Sequence, residues 1–206
     1  TSLIEAILHK TGAVSRLGAV GAGTTVTDFE PEERAKQHSF YTAVAHASTG
    51  DGLELNLIDT PGYPDFFAET TSSILAADIA CIVVNAKTGI GLNTRKAWRL
   101  ANKYGLARMI VVNKLDADNV DMDALVASIQ EAFGKRCVWF RRPDGVGEAY
   151  RGDHDALAPD SDLREAIVEA AVETDEKLLE KYLEQGAISD DELSAGILAG
   201  CRAGTL

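Results

Sequence analysis

The chain has 206 residues, 46% of them hydrophobic, and a formal net charge of −12. This length and composition are ordinary for a globular protein and allow one substantial α/β core with a helical appendage. The acidic charge argues against direct binding of nucleic acid, which depends on clusters of lysine and arginine. No apolar run is long enough to cross a bilayer. We therefore expect this domain to make no sequence-specific contact with nucleic acid and no contact with a membrane.

The first third of the chain is predicted to contain a helix, a glycine-rich loop and a β-hairpin. Apolar residues recur at helical spacing over residues 2–10, and Gly12 is placed to end that helix. Residues 18–25 include Gly-Ala-Val-Gly-Ala-Gly, but the run follows no strand and opens no helix, so we interpret it as a flexible loop rather than a dinucleotide-binding loop. Residues 40–47 and 53–58 are predicted to pair as a hairpin.

Helices and strands alternate over the rest of the chain. This alternation predicts an α/β fold with a mostly parallel sheet and helices on both faces. The later residues add a strand and two helices, with Ser189 as the N-cap of the last one. The predicted elements are a helix at 66–77, a buried strand at 79–85, a helix at 92–104, a strand at 109–112, a helix at 120–133, a strand at 138–140, and helices at 163–185 and 190–202.

The apolar run 107–112 is followed by the sequence Asn113-Lys114-Leu115-Asp116. In open α/β folds, ligands bind in loops at the carboxyl ends of the strands. Asp116 could accept hydrogen bonds from the ring N–H and the exocyclic amine of guanine, which adenine does not offer in that arrangement. The lysine stem could lie along the base, and the asparagine amide could brace the loop. This Asn-Lys-x-Asp motif therefore predicts a guanine-binding loop.

A second motif, Asp59-Thr60-Pro61-Gly62, follows the predicted strand 53–58. In P-loop NTPases an acidic residue at the end of a hydrophobic strand holds Mg²⁺, often through water. The glycine lets a backbone N–H approach a γ-phosphate, and Pro61 fixes the turn that presents it. Alone this sequence is also typical of an ordinary turn, but the guanine motif further along the chain favours a nucleotide site.

Cysteines and histidines offer no alternative site. The three cysteines are scattered without metal-ligand spacing, which fits a reducing compartment, and Cys81 is interpreted as a small core residue. The four histidines show no pairing with an acid or a nucleophile at motif spacing. An unrelated Rossmann-like enzyme with accidental motifs would need such a pairing.

The two motifs, in this order and spacing, resemble the GTP-binding domain of translation elongation factor G and its paralogues. The resemblance extends over residues 69–85, 87–94, 101–105 and 175–178, and so covers nearly the whole chain. It implies a P-loop NTPase fold with a helical insertion near the C-terminal end. It also implies that residues 1–137 form the core of the GTP-binding domain and that residues 138–206 supply its insertion subdomain and last helices. A strand and most of the Walker A loop are then expected before Thr1, and a final strand after Leu206.

The same resemblance implies GTP or GDP and Mg²⁺ as ligands. Thr1 would close the Walker A motif, and its hydroxyl would bind Mg²⁺; a helix-capping threonine is the alternative. Ser39 stands where the family has the threonine that senses Mg²⁺ and the γ-phosphate, although it could also be an exposed loop serine. Asp59 would complete the metal-binding residues.

The chain departs from the family pattern at Tyr63. The family usually has a histidine after Asp-Thr-Pro-Gly, and that residue orients the attacking water. A tyrosine can donate or accept a hydrogen bond, but its oxygen lies farther from the backbone. The substitution therefore predicts altered and slower hydrolysis, with Tyr63 in the catalytic position.

The resemblance further implies a GTPase that acts on the ribosome as a cytoplasmic monomer, either as a translocation factor or at a related step. A ribosomal protection protein and peptide chain release factor three remain open within the same superfamily. A different class also remains open: a binding module that holds GTP with little turnover, because Tyr63 replaces the histidine.

Overall fold

A computed structural model describes residues 1–205. The chain divides into two compact units, Thr1–Ala77 and Asp78–Leu206, here called unit 1 and unit 2. Each unit has its own hydrophobic core. Among the described residues, no helix is both long and apolar enough to span a membrane.

Unit 1 is built on the predicted hairpin, which the structure confirms. Strands β1 and β2 pair antiparallel from Ala43–Asp59 to Ser48–Glu54. Helix α1 packs on them through Ile4 and Leu8, which bury against small alanines of β1. The regular elements of this unit are α1 (Ser2–Lys10), α2 (Pro31–Lys36), β1 (Ala43–Ser48), β2 (Glu54–Asp59) and α3 (Phe67–Ser73).

Two other predictions for unit 1 hold with smaller adjustments. The glycine-rich stretch forms a loop with a single 3-10 turn, Val20–Ala22, as expected for a run that is not a nucleotide-binding turn. The helix predicted at 66–77 is shorter, because α3 is flanked by 3-10 turns at Pro64–Phe66 and Ile74–Ala76. Serine and threonine hydroxyls of α3 bond to carbonyls one turn back, which weakens regular helix geometry.

Unit 2 contains the parallel pair expected of this fold class. Strands β3 and β4 run parallel in register from Ile79–Ala107 to Asn85–Asn113. With the helices that follow each strand they form the α/β arrangement predicted from the alternating pattern. The elements of this part are β3 (Ile79–Asn85), α4 (Leu92–Lys103), β4 (Ala107–Asn113) and α5 (Met122–Phe133).

One hydrophobic cluster of unit 2 lies on one face of β3 and β4, and another is formed by the later residues Ala156, Ile167, Ala171 and Leu193. In the first cluster, Ile82 and Val84 are buried against Leu125 and Ile129 of α5 and the partly buried Trp98 of α4. Alternate residues of β3 point to the opposite face, where Cys81 is exposed. The interpretation of Cys81 as a core residue is therefore wrong, because an unbroken apolar run does not reveal which strand face a cysteine occupies.

The C-terminal elements differ most from the sequence prediction. No strand forms at 138–140; a short antiparallel pair follows instead, and the helix predicted at 163–185 is two helices. The break comes at Asp175, whose carboxylate accepts hydrogen bonds from the backbone N–H groups of Lys177 and Leu178 and so starts a new helix. Ser189 caps the last helix, as predicted. These elements are β5 (Arg141–Pro143), β6 (Asp153–Asp155), α6 (Arg164–Val172), α7 (Glu176–Gln185) and α8 (Asp190–Ala203).

Candidate nucleotide site

Within unit 1 the structure brings together the three residues that sequence analysis assigned to a metal. The Thr1 and Ser39 hydroxyl oxygens lie 3.0 Å apart. The main-chain nitrogen of Thr1 lies 2.9 Å from the Asp59 carboxylate, at the end of β2. Thr1 occupies the N-cap position of α1, but its hydroxyl makes no capping hydrogen bond. That hydroxyl is instead directed to Ser39.

Three further residues belong to the same cluster, and sequence analysis missed them. Ser39 Oγ donates a hydrogen bond to Asp28 Oδ1 at 2.6 Å, so the Thr1 hydroxyl is the donor in its contact with Ser39. Thr25 Oγ1 donates to Asp28 Oδ2 at 3.0 Å, and Thr27 Oγ1 donates to Asp59 Oδ2 at 2.6 Å. The hydroxyl–carboxylate cluster consists of Thr1, Thr25, Thr27, Asp28, Ser39 and Asp59.

This cluster is rich in oxygen, and four of its six residues are buried: Thr25, Thr27, Asp28 and Asp59. Asp28 has 2% of its surface exposed and Asp59 has 8%. Within unit 1, Asp59 is paired with the main-chain nitrogen of Thr1, and no lysine or arginine side chain forms an ion pair with either carboxylate. Buried carboxylates are costly unless hydrogen bonds or cations compensate them. Hydroxyl and carboxylate oxygens are hard ligands, so this donor set fits Mg²⁺.

The turn after β2 carries Thr60, Pro61, Gly62 and Tyr63. Pro61 is buried, and its carbonyl accepts a hydrogen bond from the Thr70 hydroxyl at 3.5 Å. Gly62 is exposed, and a Cβ atom added there would meet nothing within 4 Å. Open space therefore lies on the side of Gly62 where a Cβ would project. That this glycine faces a phosphate stays a prediction.

Tyr63 packs against a residue that sequence analysis did not single out. Tyr63 is 49% exposed, and its ring centroid lies 4.6 Å from that of His38, with the ring planes tilted by 45°. His38 directly precedes Ser39, whose hydroxyl belongs to the cluster. The aromatic pair thus joins the segment that carries Ser39 to the turn that carries Gly62.

The same two segments are connected at three more points. Phe40 and Phe66 have ring centroids 4.9 Å apart. The Thr42 N–H donates to Glu69 Oε2 at 3.2 Å, and the Thr42 and Ser73 hydroxyls lie 2.8 Å apart. Residues 37–42 and 60–73 are therefore held together along their length rather than at one contact.

A buried glutamate fixes the other side of the segment 37–42. Glu33 of α2 is 0% exposed. Its Oε1 accepts hydrogen bonds from the backbone N–H groups of Phe40 and Tyr41, at 2.8 and 3.0 Å. Its Oε2 accepts one from Glu30 at 3.1 Å. Nothing in the spacing of the acidic run 30–33 distinguishes this glutamate from Glu32, which is exposed.

In unit 2 the predicted guanine motif begins at the end of β4. Asn113 is the last residue of that strand, and its side-chain oxygen accepts a hydrogen bond from the Lys114 N–H at 2.7 Å. Lys114 adopts a left-handed conformation, with φ of 62°. Leu115 packs into the core of unit 2, whereas the Asp116 side chain is exposed. The partly buried Leu115 thus anchors a loop whose Asp116 carboxylate points outward.

A short turn closes this base loop, defined as residues 113–118. The N–H of Ala117 donates to the carbonyl of Lys114 at 3.1 Å. At the start of the loop, the Ala86 N–H donates to the Asn113 carbonyl at 2.8 Å, which continues the parallel pairing past β3. An exposed carboxylate on a loop fixed in this way can accept two parallel hydrogen bonds from a planar base edge.

Comparison with known proteins identifies the family. The family described as "Elongation factor Tu GTP binding domain" matches residues 1–197. Two relatives, each named "Elongation factor G-like protein", come from two strains of Mycobacterium tuberculosis. Each is 34% identical over 212 residues, which cover 94% of this chain and 30% of the relative.

The fold is also similar to a solved structure. A crystal structure of a Thermus thermophilus protein superposes with a TM-score of 0.91 and 34% identity, covering 100% of this chain and 34% of that one. The chain thus spans about 30% of the length of the curated relatives it matches. Because the family match extends over nearly every residue, the chain belongs to the elongation factor Tu GTP-binding domain family of translational GTPases.

Proposed function

We propose that the protein containing this domain binds and hydrolyses GTP on the ribosome, as a translation factor of the elongation factor G type that promotes translocation or a related step. The observation that carries the proposal is the hydroxyl–carboxylate cluster, in which Thr1, Ser39 and Asp59 share one hydrogen-bonded network. The names of the Mycobacterium tuberculosis relatives support the elongation factor G type. On this proposal the protein acts in the cytoplasm as a monomer.

Magnesium would be held by the Thr1 and Ser39 hydroxyls and the Asp59 carboxylate. When bound, the ion supplies positive charge beside the nucleotide phosphates. Asp28 orients Ser39 by accepting a hydrogen bond from its hydroxyl at 2.6 Å, so the Ser39 lone pairs are directed away from Asp28. The Thr27 hydroxyl fixes one oxygen of Asp59 by donating a hydrogen bond to it at 2.6 Å.

The two motifs would divide the rest of the nucleotide between them. Thr60, Pro61 and Gly62 would face the γ-phosphate, with the Gly62 N–H as donor. Asn113, Lys114, Leu115 and Asp116 would hold guanine, with Asp116 accepting hydrogen bonds from its ring N–H and amine. Because a desolvated carboxylate left unpaired by adenine is costly, Asp116 favours GTP over ATP.

Tyr63 gives a second candidate function a specific basis. Phosphoryl transfer depends on positioning the attacking water and on electrostatics. The Tyr63 ring rests on His38, and this packing restrains a side chain that differs in length and chemistry from the usual histidine. A domain that holds GTP with little turnover, and docks on ribosomes in that state, is the alternative that this observation favours.

The decisive experiment uses the full-length protein with GTP and ATP, with and without ribosomes. Selective GTP binding and ribosome-stimulated phosphate release would establish the proposed function. Selective binding without stimulated release would favour the GTP-holding module. Equal binding of GTP and ATP would contradict the role of Asp116 and with it the whole proposal.

A further inference from the structure

The loop that joins β5 to β6 makes direct contact with the base loop. The backbone N–H of Gly147 donates a hydrogen bond to the Leu115 carbonyl at 2.6 Å. Leu115 stands between Lys114 and Asp116, so the contact falls in the middle of the Asn-Lys-x-Asp motif. This connecting segment, residues 144–152, is called the hairpin loop below.

The hairpin loop has a fixed shape of its own. The Asp144 N–H bonds to the Gly152 carbonyl, and the Arg151 N–H bonds to the Asp144 carbonyl, each at 2.8 Å. Inside this closure, the Ala149 N–H donates to the Val146 carbonyl at 3.1 Å. A loop closed by its own backbone bonds can act as a rigid support for a neighbouring segment.

Gly147 is placed where a larger residue would disturb the base loop. Its φ is +58°, a left-handed value that favours glycine. A Cβ atom at this position would lie 3.3 Å from the Ala117 carbonyl oxygen and 3.7 Å from the Asp118 carboxylate. The nearest obstacle is therefore backbone of the base loop, which cannot rotate away as a flexible side chain could.

The base loop needs such support because its backbone is held in an uncommon conformation. Lys114 has a φ of 62°, which non-glycine residues rarely adopt. The Asn113 side chain restrains the loop at its start, and the Ala117 N–H closes its turn. Gly147 provides the contact at the middle residue, directly before Asp116.

We propose that the hairpin loop is part of the guanine site and that Gly147 is a positioning residue, which sets the Asp116 carboxylate against the edge of the base. This inference rests on the proposed role of Asp116. It extends base selection into residues 138–206, the stretch that sequence analysis assigned to an insertion subdomain. Guanine selectivity then depends on a backbone contact from outside the base loop itself.

The test compares the affinities of the full-length protein for GDP and IDP, whose base lacks the exocyclic amine. The parent protein should prefer GDP by about ten- to a hundredfold, as expected for one hydrogen bond to a charged group. Gly147→Ala should reduce that ratio several-fold, because a shift of about 1 Å in a binding group can cost about 10²-fold. A ratio of two affinities does not depend on the fraction of folded protein.

Gly186→Ala is the matched control. Gly186 also has a positive φ, +71°, but a Cβ there would meet nothing within 4 Å. The control thus carries the same backbone cost without the contact to the base loop. If Gly147→Ala gives no cooperative melting transition, Gly147→Asn and Gly186→Asn take their places, since asparagine tolerates left-handed backbone better.

The outcomes distinguish a failure of this inference from a failure of the proposed guanine-binding function. A GDP/IDP ratio that falls in the Gly147 variant and stays at the parent value in the Gly186 variant would support the role of the hairpin loop. An unchanged ratio in the Gly147 variant, alongside a ratio lost in Asp116→Ala, would overturn this inference and leave the guanine motif intact. A parent protein that binds GDP and IDP equally would overturn both.

Discussion

The two units of the chain differ in whether their polar side chains are buried or exposed. Every buried polar or charged side chain among residues 1–205 lies in unit 1: Glu5, Thr25, Thr27, Asp28, Glu33 and Asp59. Unit 2 buries only apolar side chains and keeps Asp116 exposed at the end of β4. Unit 1 is therefore organised around an internal polar network, and unit 2 around an apolar core with a polar edge.

This difference shows where function is constrained by folding. In unit 1 the residues proposed to bind Mg²⁺ are also part of the network that satisfies buried carboxylates, so metal binding and stability depend on the same atoms. In unit 2 the base loop is anchored by Leu115, and its functional carboxylate lies outside the core. Substitutions should therefore affect chemistry and fold together in unit 1 but separately in unit 2.

The largest effect is expected at Tyr63, which lies in unit 1 but outside its buried network. Tyr63→His should raise ribosome-stimulated GTP turnover of the full-length protein by about 10²–10⁴-fold, the usual contribution of a positioned polar catalyst. A histidine side chain is shorter than tyrosine and ends in a ring nitrogen. This is the group that orients the attacking water in most members of the family. Steady-state phosphate release at saturating GTP measures this effect.

Tyr63→Phe is the control for the phenol oxygen, because it keeps the ring that packs on His38. If the phenol positions water at all, Tyr63→Phe should be slower than the parent protein. Equal turnover in the Tyr63→His variant and the parent would refute the prediction that Tyr63 slows GTP hydrolysis. Base selectivity should be the same in all three proteins, because Tyr63 belongs to unit 1.

In unit 2 the largest effect is expected from Asp116→Ala. Removing two hydrogen bonds to a charged acceptor should weaken GDP binding by about 10²-fold or more. The melting temperature without nucleotide should stay near that of the parent, since substitution of an exposed side chain usually changes stability by less than about 0.5 kcal/mol. Calorimetric titration with GDP and thermal unfolding of the same samples test both statements. A large loss of stability would contradict the view that nucleotide binding and folding depend on separate side chains in unit 2.

Sequence patterns were sufficient for the elements that depend on local or strictly repeating signals. Helix α1, the β1–β2 hairpin, the β3–β4 pair and the Ser189 cap follow from apolar periodicity and capping chemistry within short windows. Such signals fail where one residue redirects the chain. Asp175 splits a continuous helical pattern because its side chain competes for the next backbone N–H groups.

Sequence analysis could name candidate site residues where a motif keeps them adjacent, as in Asp59 to Gly62 and Asn113 to Asp116. The family resemblance added Thr1 and Ser39, whose hydroxyls lie 3.0 Å apart, but neither signal revealed Asp28 or Glu33. The contacts of Asp28 with Ser39 and of Glu33 with Phe40 depend on a loop that returns after α2. The spacing of apolar residues along the sequence does not predict that a loop folds back in this way. Gly147 was missed for the same reason, since its contact with Leu115 spans the whole of α5 and β5.

A smaller effect, on stability, is expected from the buried network of unit 1. Glu33→Gln replaces one acceptor oxygen with an amide NH₂ group, which cannot accept from the backbone N–H donors that it then faces. The unfolding free energy should fall by about 1–3 kcal/mol, the usual cost of leaving a buried polar group unsatisfied. Urea unfolding of the full-length protein measures the loss, and Glu32→Gln, at the exposed neighbouring position on α2, is the control.

If Glu33→Gln proves as stable as Glu32→Gln, the buried carboxylate contributes nothing that a neutral amide cannot, and unit 1 would not depend on its polar network. The same variant should weaken binding of the non-hydrolysable GTP analogue more than binding of GDP. The segment 37–42 that Glu33 holds carries Ser39, the residue proposed to sense the γ-phosphate.

The smallest effect is expected from the surface polar network of unit 2, at Glu192 of α8. A hydrogen bond from Lys181, with further ones from the Ser189 N–H and hydroxyl, lowers the pKa of Glu192 from 4.5 to about 2. Because the folded-state pKa lies below the unfolded value, this carboxylate stabilises the folded chain above pH 4.5 and loses that contribution as the pH falls toward 2.

Melting temperatures recorded while the pH is lowered through this window should therefore fall less steeply for Glu192→Gln than for the parent protein. Glu184→Gln, at an exposed position on α7, should follow the parent curve. Added salt should shrink the difference, because both partners are accessible to water and screening weakens such pairs. A Glu192→Gln curve as steep as the parent curve would contradict a stabilising role for the Glu192 carboxylate.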